Sequence, residues 1–333
     1  MKISHFFNPL KLKFFSMAKN SDKRAISRKA RMEARAAAER EAQLAAERER
    51  KIQTTIGAAV VAVIVVIAAV IVFFVGRNIY NSTRSPEEVA VQAYAAVEKV
   101  KDKPKNAAKN GGFVISKNGV NKPIANVPTI DDYMDYICPA CGTMHRSAGE
   151  TLASLVAAGQ INLNIHPAAF LNASSTDRYS TRAAAFVTYV ADNEPDKVLA
   201  LSEAMFAQNF QPQEASGYKS VSNDALVKLA KSVGVSDSVA TAAAKGKYEK
   251  WVDAVSQWYP VDSKLWHKSG TYKGQMTTPT ILINNNYWDY TTAPSSYAGN
   301  YAKMILHSIG LEEASVGKAG DLPSIGTGKP VAL

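Results

Sequence analysis

The chain contains one long apolar run, at residues 55–76. In the rest of the chain, apolar and polar residues alternate as they do in globular domains. No charged residue lies between Lys51 and Arg77, and the segment 55–76 (TIGAAVVAVIVVIAAVIVFFVG) has no polar face. A helix of about 20 apolar residues crosses the apolar core of a bilayer. We therefore predict a single transmembrane helix over 55–76. A cleaved signal peptide is the alternative, although its apolar region is usually shorter and ends in small residues.

The charge beside this run predicts how the chain lies in the membrane. Residues 1–51 contain 14 Lys or Arg and 6 Asp or Glu, which gives them a net charge of +8 out of +10 for the chain. Positively charged flanks stay in the cytoplasm. We therefore predict a single-pass protein of the cell membrane, with a basic cytoplasmic arm over 1–54 beside the lipid bilayer and an extracytoplasmic domain. A nucleic-acid role is not expected beside a membrane anchor. Met1 and Met17 both remain candidates for the translation start.

Beyond the membrane segment, the spacing of apolar residues alternates between the strand and the helix period. Residues 77–111 combine a helix over Ser85–Val100, marked by an N-cap serine followed by proline, with a polar linker rich in helix breakers. Short apolar or alternating runs predict strands, and apolar residues three and four apart predict helices. The predicted strands are Phe113–Ser116, Val127–Met134, Ile161–His166, Thr280–Asn284 and Tyr287–Tyr290.

The predicted helices fall between and after these strands. One helix covers Pro139–Gln160, a helical block covers about 174–258, and a last helix covers Ser295–Ile309. Strands and helices in this order form an α/β layered domain, which we predict over 112–310. Residues 311–333 are rich in Gly, Pro and Ser, lack apolar periodicity, and are predicted to form a flexible tail.

Both cysteines of the chain lie in one motif, Cys138-Pro139-Ala140-Cys141, between a predicted strand and a predicted helix. The nucleophile in disulfide exchange is a thiolate. A helix N-terminus favours the thiolate of Cys138 through its free N–H groups and its dipole, and Pro139 suits the first helical turn. Cys141 lies on the apolar stripe and should be buried. The motif therefore predicts a redox-active disulfide in which Cys138 attacks, or is attacked by, the partner and Cys141 resolves the mixed disulfide.

Two other interpretations of the cysteine pair remain as alternatives. A structural disulfide would close a very short loop and would stabilise the fold little. A zinc site needs about four ligands, whereas Cys138, Cys141 and His145 offer three, and the sequence has no second Cys-x-x-Cys pair. No sequence motif for a metal, a nucleotide or an organic cofactor is present, and we therefore expect none.

Two segments resemble the DsbA-like branch of the thioredoxin superfamily, and the resemblance covers about residues 112–310. One segment is DYICPACGTMH, which ends at His145, and the other is TTPTILIN, which begins at Thr277. The residues that match the family motifs are Asp135, Tyr136, Cys138, Pro139, Cys141, Thr278, Pro279 and Ile281–Ile283. The resemblance implies a thioredoxin-like α/β fold with a helical insertion at about 174–258.

The resemblance also implies roles for residues outside the cysteine motif. Pro279 should be a cis-proline beside the cysteines, and the backbone of Thr278 should pair with an extended substrate, although an ordinary proline at the start of a strand is the alternative. Asp132 should be a buried acid that exchanges a proton with the resolving thiol. The alternative is a solvent-facing strand acid, and the adjacent Asp131 indicates that one of the two points outward.

Three residues are candidates for tuning the thiolate, namely Pro139, Ala140 and His145. Ala140 occupies the position where strongly oxidising relatives have histidine, which leaves the preferred direction of electron flow open. His145 lies seven residues after Cys138 on the same predicted helix, and a surface histidine is the alternative. His166 is expected to be structural.

The function that the resemblance implies is that of a membrane-tethered thiol–disulfide oxidoreductase. It would introduce disulfides into exported, cysteine-containing proteins, and a membrane redox partner, by resemblance a quinone-linked protein, would reoxidise it. A disulfide reductase or isomerase of the same fold is one alternative. A membrane-anchored binding or assembly module without redox activity, which docks through the helical block, is the other.

Overall fold

The structure of the chain is a computed structural model that describes residues 85–297 and 299–333. The predicted basic arm (1–54) and the predicted transmembrane helix (55–76) lie outside the described residues. Among the helices within the described ranges, none is both long and apolar enough to cross a membrane. The single-pass topology therefore stays a prediction.

A mixed sheet of six strands forms the centre of the fold. The strands are β1 (Phe113–Ser116), β2 (Gly119–Val120), β3 (Thr129–Met134), β4 (Asn162–Pro167), β5 (Thr280–Ile283) and β6 (Asn286–Tyr287). Their order is β2-β1-β4-β3-β5-β6; β3 and β4 are parallel and the other neighbouring pairs are antiparallel. The sequence predicts all of these strands except β2, which is too short to show alternation. The predicted α/β class is confirmed.

Helices surround the sheet. The helices of the described residues are α1 (Pro86–Glu98), α2 (Pro139–Ala158), α3 (Tyr179–Asn193), α4 (Val198–Met205), α5 (Asn223–Ser232), α6 (Asp237–Ala243), α7 (Glu249–Trp258) and α8 (Tyr301–Ile309). Helices α3 to α7 form the predicted helical block between β4 and β5. Helix α1 packs against α7, and α2 packs against α8. The capping box that begins α1 contains Ser85 and Glu88. The last helix begins six residues later than the sequence predicts, because a 3₁₀ turn occupies Ser295–Tyr297.

The cysteine helix α2 follows directly from the central strand β3. It ends at Gly159, whose φ of 75° is the left-handed conformation that glycine adopts readily. Its buried face includes the predicted apolar stripe of Cys141, Met144, Ala148, Leu152 and Leu155. The stripe anchors the helix on the sheet and leaves its first turn at the carboxyl end of β3.

Both carboxylates of the Asp131-Asp132 pair are buried, so the expectation that one of them points outward is wrong. Asp131 is 4% exposed and Asp132 is 1% exposed. Successive side chains of a strand point to opposite faces, and here helices or loops cover both faces. Asp131 lies against His166, whose Nε2 is 3.0 Å from its Oδ1, and the His166 ring stacks on Tyr133 at 3.8 Å. His166 is therefore fully buried in a polar cluster, in agreement with the structural role expected for it.

The C-terminal segment differs from the flexible tail that the sequence predicts for 311–333. The side-chain amide of Gln160 donates to the carbonyls of Ser315 at 2.8 Å and Asp321 at 2.6 Å. The amide of Asn284 donates to two further carbonyls of the segment. A segment held through its backbone needs no apolar periodicity, and its sequence therefore gives no sign of this attachment.

Replacing Gln160 with alanine should release this segment. The amide is fully buried and each of its hydrogen bonds contributes about 1 kcal/mol, so we expect the free energy of unfolding to fall by about 2–3 kcal/mol. Amide hydrogen exchange should accelerate over residues 315–321. The exposed Gln257→Ala serves as the control, and equal exchange in the two variants would contradict the attachment.

Candidate active site

Cys138 lies at the junction of β3 and α2, where it is the N-cap residue of the helix. Its N–H donates to the Asp135 carbonyl at 3.0 Å, which closes the turn before the helix. Its own carbonyl accepts from the Gly142 N–H at 3.1 Å. Cys138 and Cys141 both carry free thiols in the structure, at the N-terminus of the helix.

The two thiols differ in their pKa values. A hydrogen bond with the Cys141 thiol lowers the pKa of Cys138, although burial opposes this effect. Burial raises the pKa of Cys141 well above its usual range, and the hydrogen bond and charge of Cys138 add to the rise. The exposures differ less than the sequence suggests, since Cys138 is 5% exposed and Cys141 is 0% exposed. The pair thus combines one thiol that ionises readily with one that keeps its proton.

The Thr278–Pro279 peptide bond is cis, which confirms the conformation that the resemblance implies for Pro279. Sγ of Cys138 lies 3.4 Å from the carbonyl oxygen of Thr278, although the two residues are 140 positions apart in the chain. The Pro279 carbonyl accepts a hydrogen bond from the Tyr290 hydroxyl at 3.0 Å. The fold therefore places this peptide bond directly beside the sulfur that ionises more readily.

His145 is buried, so the alternative of a surface histidine is wrong. Its Nε2 lies 3.0 Å from Oδ2 of Asp132, and its Nδ1 lies 2.8 Å from Oε1 of Glu203. Burial by itself lowers the pKa of His145, but the charges of Glu203 and Asp132 outweigh burial and raise the pKa to about 10. At neutral pH the ring is therefore an imidazolium held between two carboxylates.

Asp132 is a buried residue of β3, the strand that leads to the cysteine motif. Its Oδ1 has no hydrogen-bond partner in the part of the chain that the structure describes, and its Oδ2 contacts His145 as an ion pair. The negative charge of Asp132 contributes, after burial and the contacts with Cys138, to the raised pKa of Cys141. Asp132 is thus close enough for its charge to affect the Cys141 thiol. The proton exchange predicted for Asp132 stays a prediction.

Asp135 has a structural role that its place in the motif does not reveal. Its two carboxylate oxygens accept from the N–H of Ile137 at 3.1 Å and from the N–H of Leu171 at 2.9 Å. Burial raises the pKa of Asp135 to about 6, although these N–H donors oppose the rise. The carboxylate holds the turn that precedes Cys138. An aspartate two residues before an N–H in a turn is a recognisable sequence signal for such a bond.

Gln211, in the loop after α4, is a site residue that sequence reasoning missed. Its Nε2 donates to the Cys138 carbonyl at 2.9 Å, and its Oε1 accepts from Nη1 of Arg146 at 2.9 Å. A Cβ added at Gly142 would lie 1.9 Å from that Oε1, so a glycine there permits the approach. Gln211 lies 73 residues from Cys138, and no local sequence signal connects the two.

The remaining candidates lie on the first turn of α2. Pro139 and Ala140 are both exposed beside Cys138 and form the solvent-facing side of the motif. Within 85–297 and 299–333, no group of three or more His, Cys, Asp or Glu side chains is placed to hold a metal ion. The zinc alternative also required His145, but both of its ring nitrogens face carboxylates.

The sequence and the fold relate this site to known proteins. Residues 123–298 match the family model described as Thioredoxin. The chain belongs to the thioredoxin family. The superfamily and the thioredoxin-like fold predicted from the cysteine and proline motifs are therefore confirmed.

A second relationship concerns a shorter segment. The serine/threonine-protein kinase PknE of Mycobacterium tuberculosis and of Mycobacterium bovis is 36% identical over 120 residues, which are 35% of this chain. The match spans about a fifth of the length of these curated relatives, 21%. Most of the kinase therefore has no counterpart in the match.

Several solved structures are similar to the chain. Oxidised DsbA from Mycobacterium tuberculosis has a TM-score of 0.45 at 24% identity, and the likeness covers 58% of this chain and 92% of that chain. The reduced disulfide bond oxidoreductase DsbG from the same organism has a TM-score of 0.46 at 25% identity and coverages of 60% and 89%. MdbA from Actinomyces oris, a thiol–disulfide oxidoreductase, has a TM-score of 0.44 at 19% identity and coverages of 60% and 89%.

Proposed function

We propose that the chain is a membrane-tethered, DsbA-like thiol–disulfide oxidoreductase that introduces disulfides into exported proteins. The observation that carries the proposal is the unequal pair of thiols beside the cis peptide bond. The pKa of Cys138 is lowered by its hydrogen bond with Cys141, and its sulfur lies 3.4 Å from the Thr278 carbonyl. Membership of the thioredoxin family agrees with this chemistry.

The proposed cycle moves two electrons from a substrate dithiol to the oxidised pair. A substrate thiolate attacks Sγ of Cys138, the Cys138–Cys141 bond breaks, and Cys141 leaves as a thiolate. Burial raises the pKa of Cys141, so this thiolate takes up a proton readily. A second substrate thiolate then attacks the substrate sulfur of the mixed disulfide and releases Cys138 as a thiolate, which its lowered pKa makes a good leaving group. The substrate gains a disulfide and the protein is left as the dithiol.

We assign the supporting roles from position. Asp132 exchanges a proton with Cys141, because its carboxylate is buried and its charge acts on that thiol. Thr278 and Pro279 bind an extended segment of the substrate through their backbone beside Cys138. Pro139 and Ala140, exposed on the same turn, contact the substrate around the reacting sulfur.

The proposed cellular position follows from the chemistry and the N-terminal sequence. A disulfide donor acts where disulfides persist, outside the cytoplasm. The apolar run 55–76 and the basic arm 1–54 support a domain that is tethered to the outer face of the membrane. A membrane redox partner, which we propose to be quinone-linked, would reoxidise the dithiol after each cycle.

The direction of electron flow can be tested with the purified protein. We expect a reduction potential nearer to about −120 mV, typical of a strong oxidant, than to about −270 mV, typical of a reductase. The oxidised protein should then restore activity to a reduced, unfolded substrate protein faster than oxidised glutathione does. A potential near the lower value together with no gain in refolding would favour the reductase or isomerase instead.

A further inference from the structure

Three charged side chains form a chain of contacts beneath the cysteine pair. Oδ2 of Asp132 lies 3.0 Å from Nε2 of His145, and Nδ1 of His145 lies 2.8 Å from Oε1 of Glu203. The side chains of Asp132 and His145 are both 2% exposed, whereas that of Glu203 is 24% exposed. The contacts therefore run from the buried carboxylate of Asp132 to a carboxylate that solvent reaches.

A carboxylate buried as deeply as Asp132 needs a compensating charge. An isolated buried carboxylate takes up a proton rather than remain charged. Within the described residues, His145 is the one cation at ion-pair distance from Asp132. The other titratable groups around the pair are Cys138 and Cys141 on α2, and Tyr136, whose pKa is raised chiefly by burial and further by the charges of Asp132 and Glu203.

The helix surface is shaped to admit Glu203. A Cβ added at Gly149, one turn after His145 on α2, would lie 1.9 Å from Oε2 of Glu203. Any side chain at 149 would therefore force this carboxylate to shift from its place beside the imidazolium. The glycine is an observation independent of the charges, and it indicates that the contact between His145 and Glu203 depends on the bare helix backbone at this position.

We propose that Glu203 and His145 are positioning residues that supply and hold the counter-charge of the Asp132 carboxylate for its proton exchange with Cys141. The inference rests on the proposed function and deepens it. The charges of Glu203 and Asp132 hold the ring as an imidazolium, and the imidazolium lies against the Asp132 carboxylate as its counter-charge. When a mixed disulfide on Cys138 is resolved, Cys141 gives its proton to Asp132. The Cys141 thiolate then forms a bond to Sγ of Cys138, and the bound partner leaves with the electron pair of the broken bond.

An aromatic disulfide, 5,5′-dithiobis(2-nitrobenzoate), separates the two steps in the reduced protein. Attack by Cys138 releases one coloured thiolate and leaves the other bound to it; attack by Cys141 then releases the second. In Glu203→Gln we expect the first release to be unchanged. The pH at which the second release reaches half of its maximal rate should rise by about one unit, which makes the step about tenfold slower at pH values below both midpoints.

Gly149→Ala provides a second variant that changes no charge. It should move the pH midpoint of the second release in the same direction by displacing the Glu203 carboxylate. Glu150→Gln, an exposed change on the same helix, is the matched control and should leave the midpoint in place.

Two outcomes would overturn the inference, and they are distinguishable. If Glu203→Gln and Gly149→Ala both show the midpoint of the unaltered protein, the positioning role is excluded and the proposed function stands. If the unaltered protein gives no second release at any pH, the exchange chemistry itself fails, and the positioning role fails with it.

Discussion

Cys138→Ser should abolish thiol–disulfide exchange, with a loss of about 10³-fold or more in the rate of oxidative refolding. The reason is that Cys138 is the thiol with the lowered pKa and lies beside the Thr278 carbonyl, where a substrate segment would bind. Cys141→Ala cannot form the Cys138–Cys141 disulfide and should also lose oxidative refolding. Its Cys138 thiol can still attack the disulfide of an oxidised partner, and this mixed disulfide should accumulate because Cys141 is not there to resolve it. Non-reducing electrophoresis and mass spectrometry of the trapped species measure both effects.

The two cysteine variants are controls for each other. Both remove one sulfur from the same helical turn, and the structure predicts opposite consequences for the mixed disulfide. Equal trapping on Cys141 in Cys138→Ser would show that the two thiols are interchangeable. That result is incompatible with a fully buried Cys141 whose pKa is raised by burial.

His145→Gln should lower the free energy of unfolding by about 3 kcal/mol at pH 7, because it leaves Asp132 buried without a cation. The pKa of His145 is raised from 6.5 to about 10 by Glu203 and Asp132, against the opposing effect of burial. The folded protein therefore binds a proton here that the unfolded chain releases between these pH values. The stabilisation is complete below about pH 6.5 and is lost as the pH rises towards 10.

Urea unfolding at several pH values tests this prediction. The difference in stability between His145→Gln and the unaltered protein should narrow from pH 7 to pH 10. The exposed His307→Gln is the control and should show no such trend. A difference that stays constant with pH would mean that His145 acts through its stacking on Phe206, at 4.3 Å between ring centroids, rather than through its charge.

The sequence predicts those parts of the fold and the site that depend on the pattern of neighbouring residues. The strand before Cys138, the helix after it and the buried position of Cys141 follow from apolar spacing alone. The cis-proline follows from a resemblance, because a motif 140 residues away carries no physical signal of contact with Cys138. The fold brings the two together through the antiparallel pairing of β3 with β5.

The parts that the sequence does not reveal are polar contacts between distant elements. Glu203 lies 58 residues from His145, and neither its type nor its position on a short helix marks it as a partner. Asp131 and Asp132 look like one inward and one outward residue because alternation assumes an open face, and β3 has none. The C-terminal segment looks loose because its attachment depends on side-chain amides of Gln160 and Asn284 elsewhere in the chain.

Two glycines on α2 make room for side chains of the helical block, which limits how far the protein can be shortened. Gly142 admits Gln211 and Gly149 admits Glu203, and both partners come from the helical block between β4 and β5. Deleting that block would remove the Gln211 amide that donates to the Cys138 carbonyl and the Glu203 carboxylate that pairs with His145. The insertion thus supplies one polar contact to Cys138 and one to His145, and a chain without it would lack both.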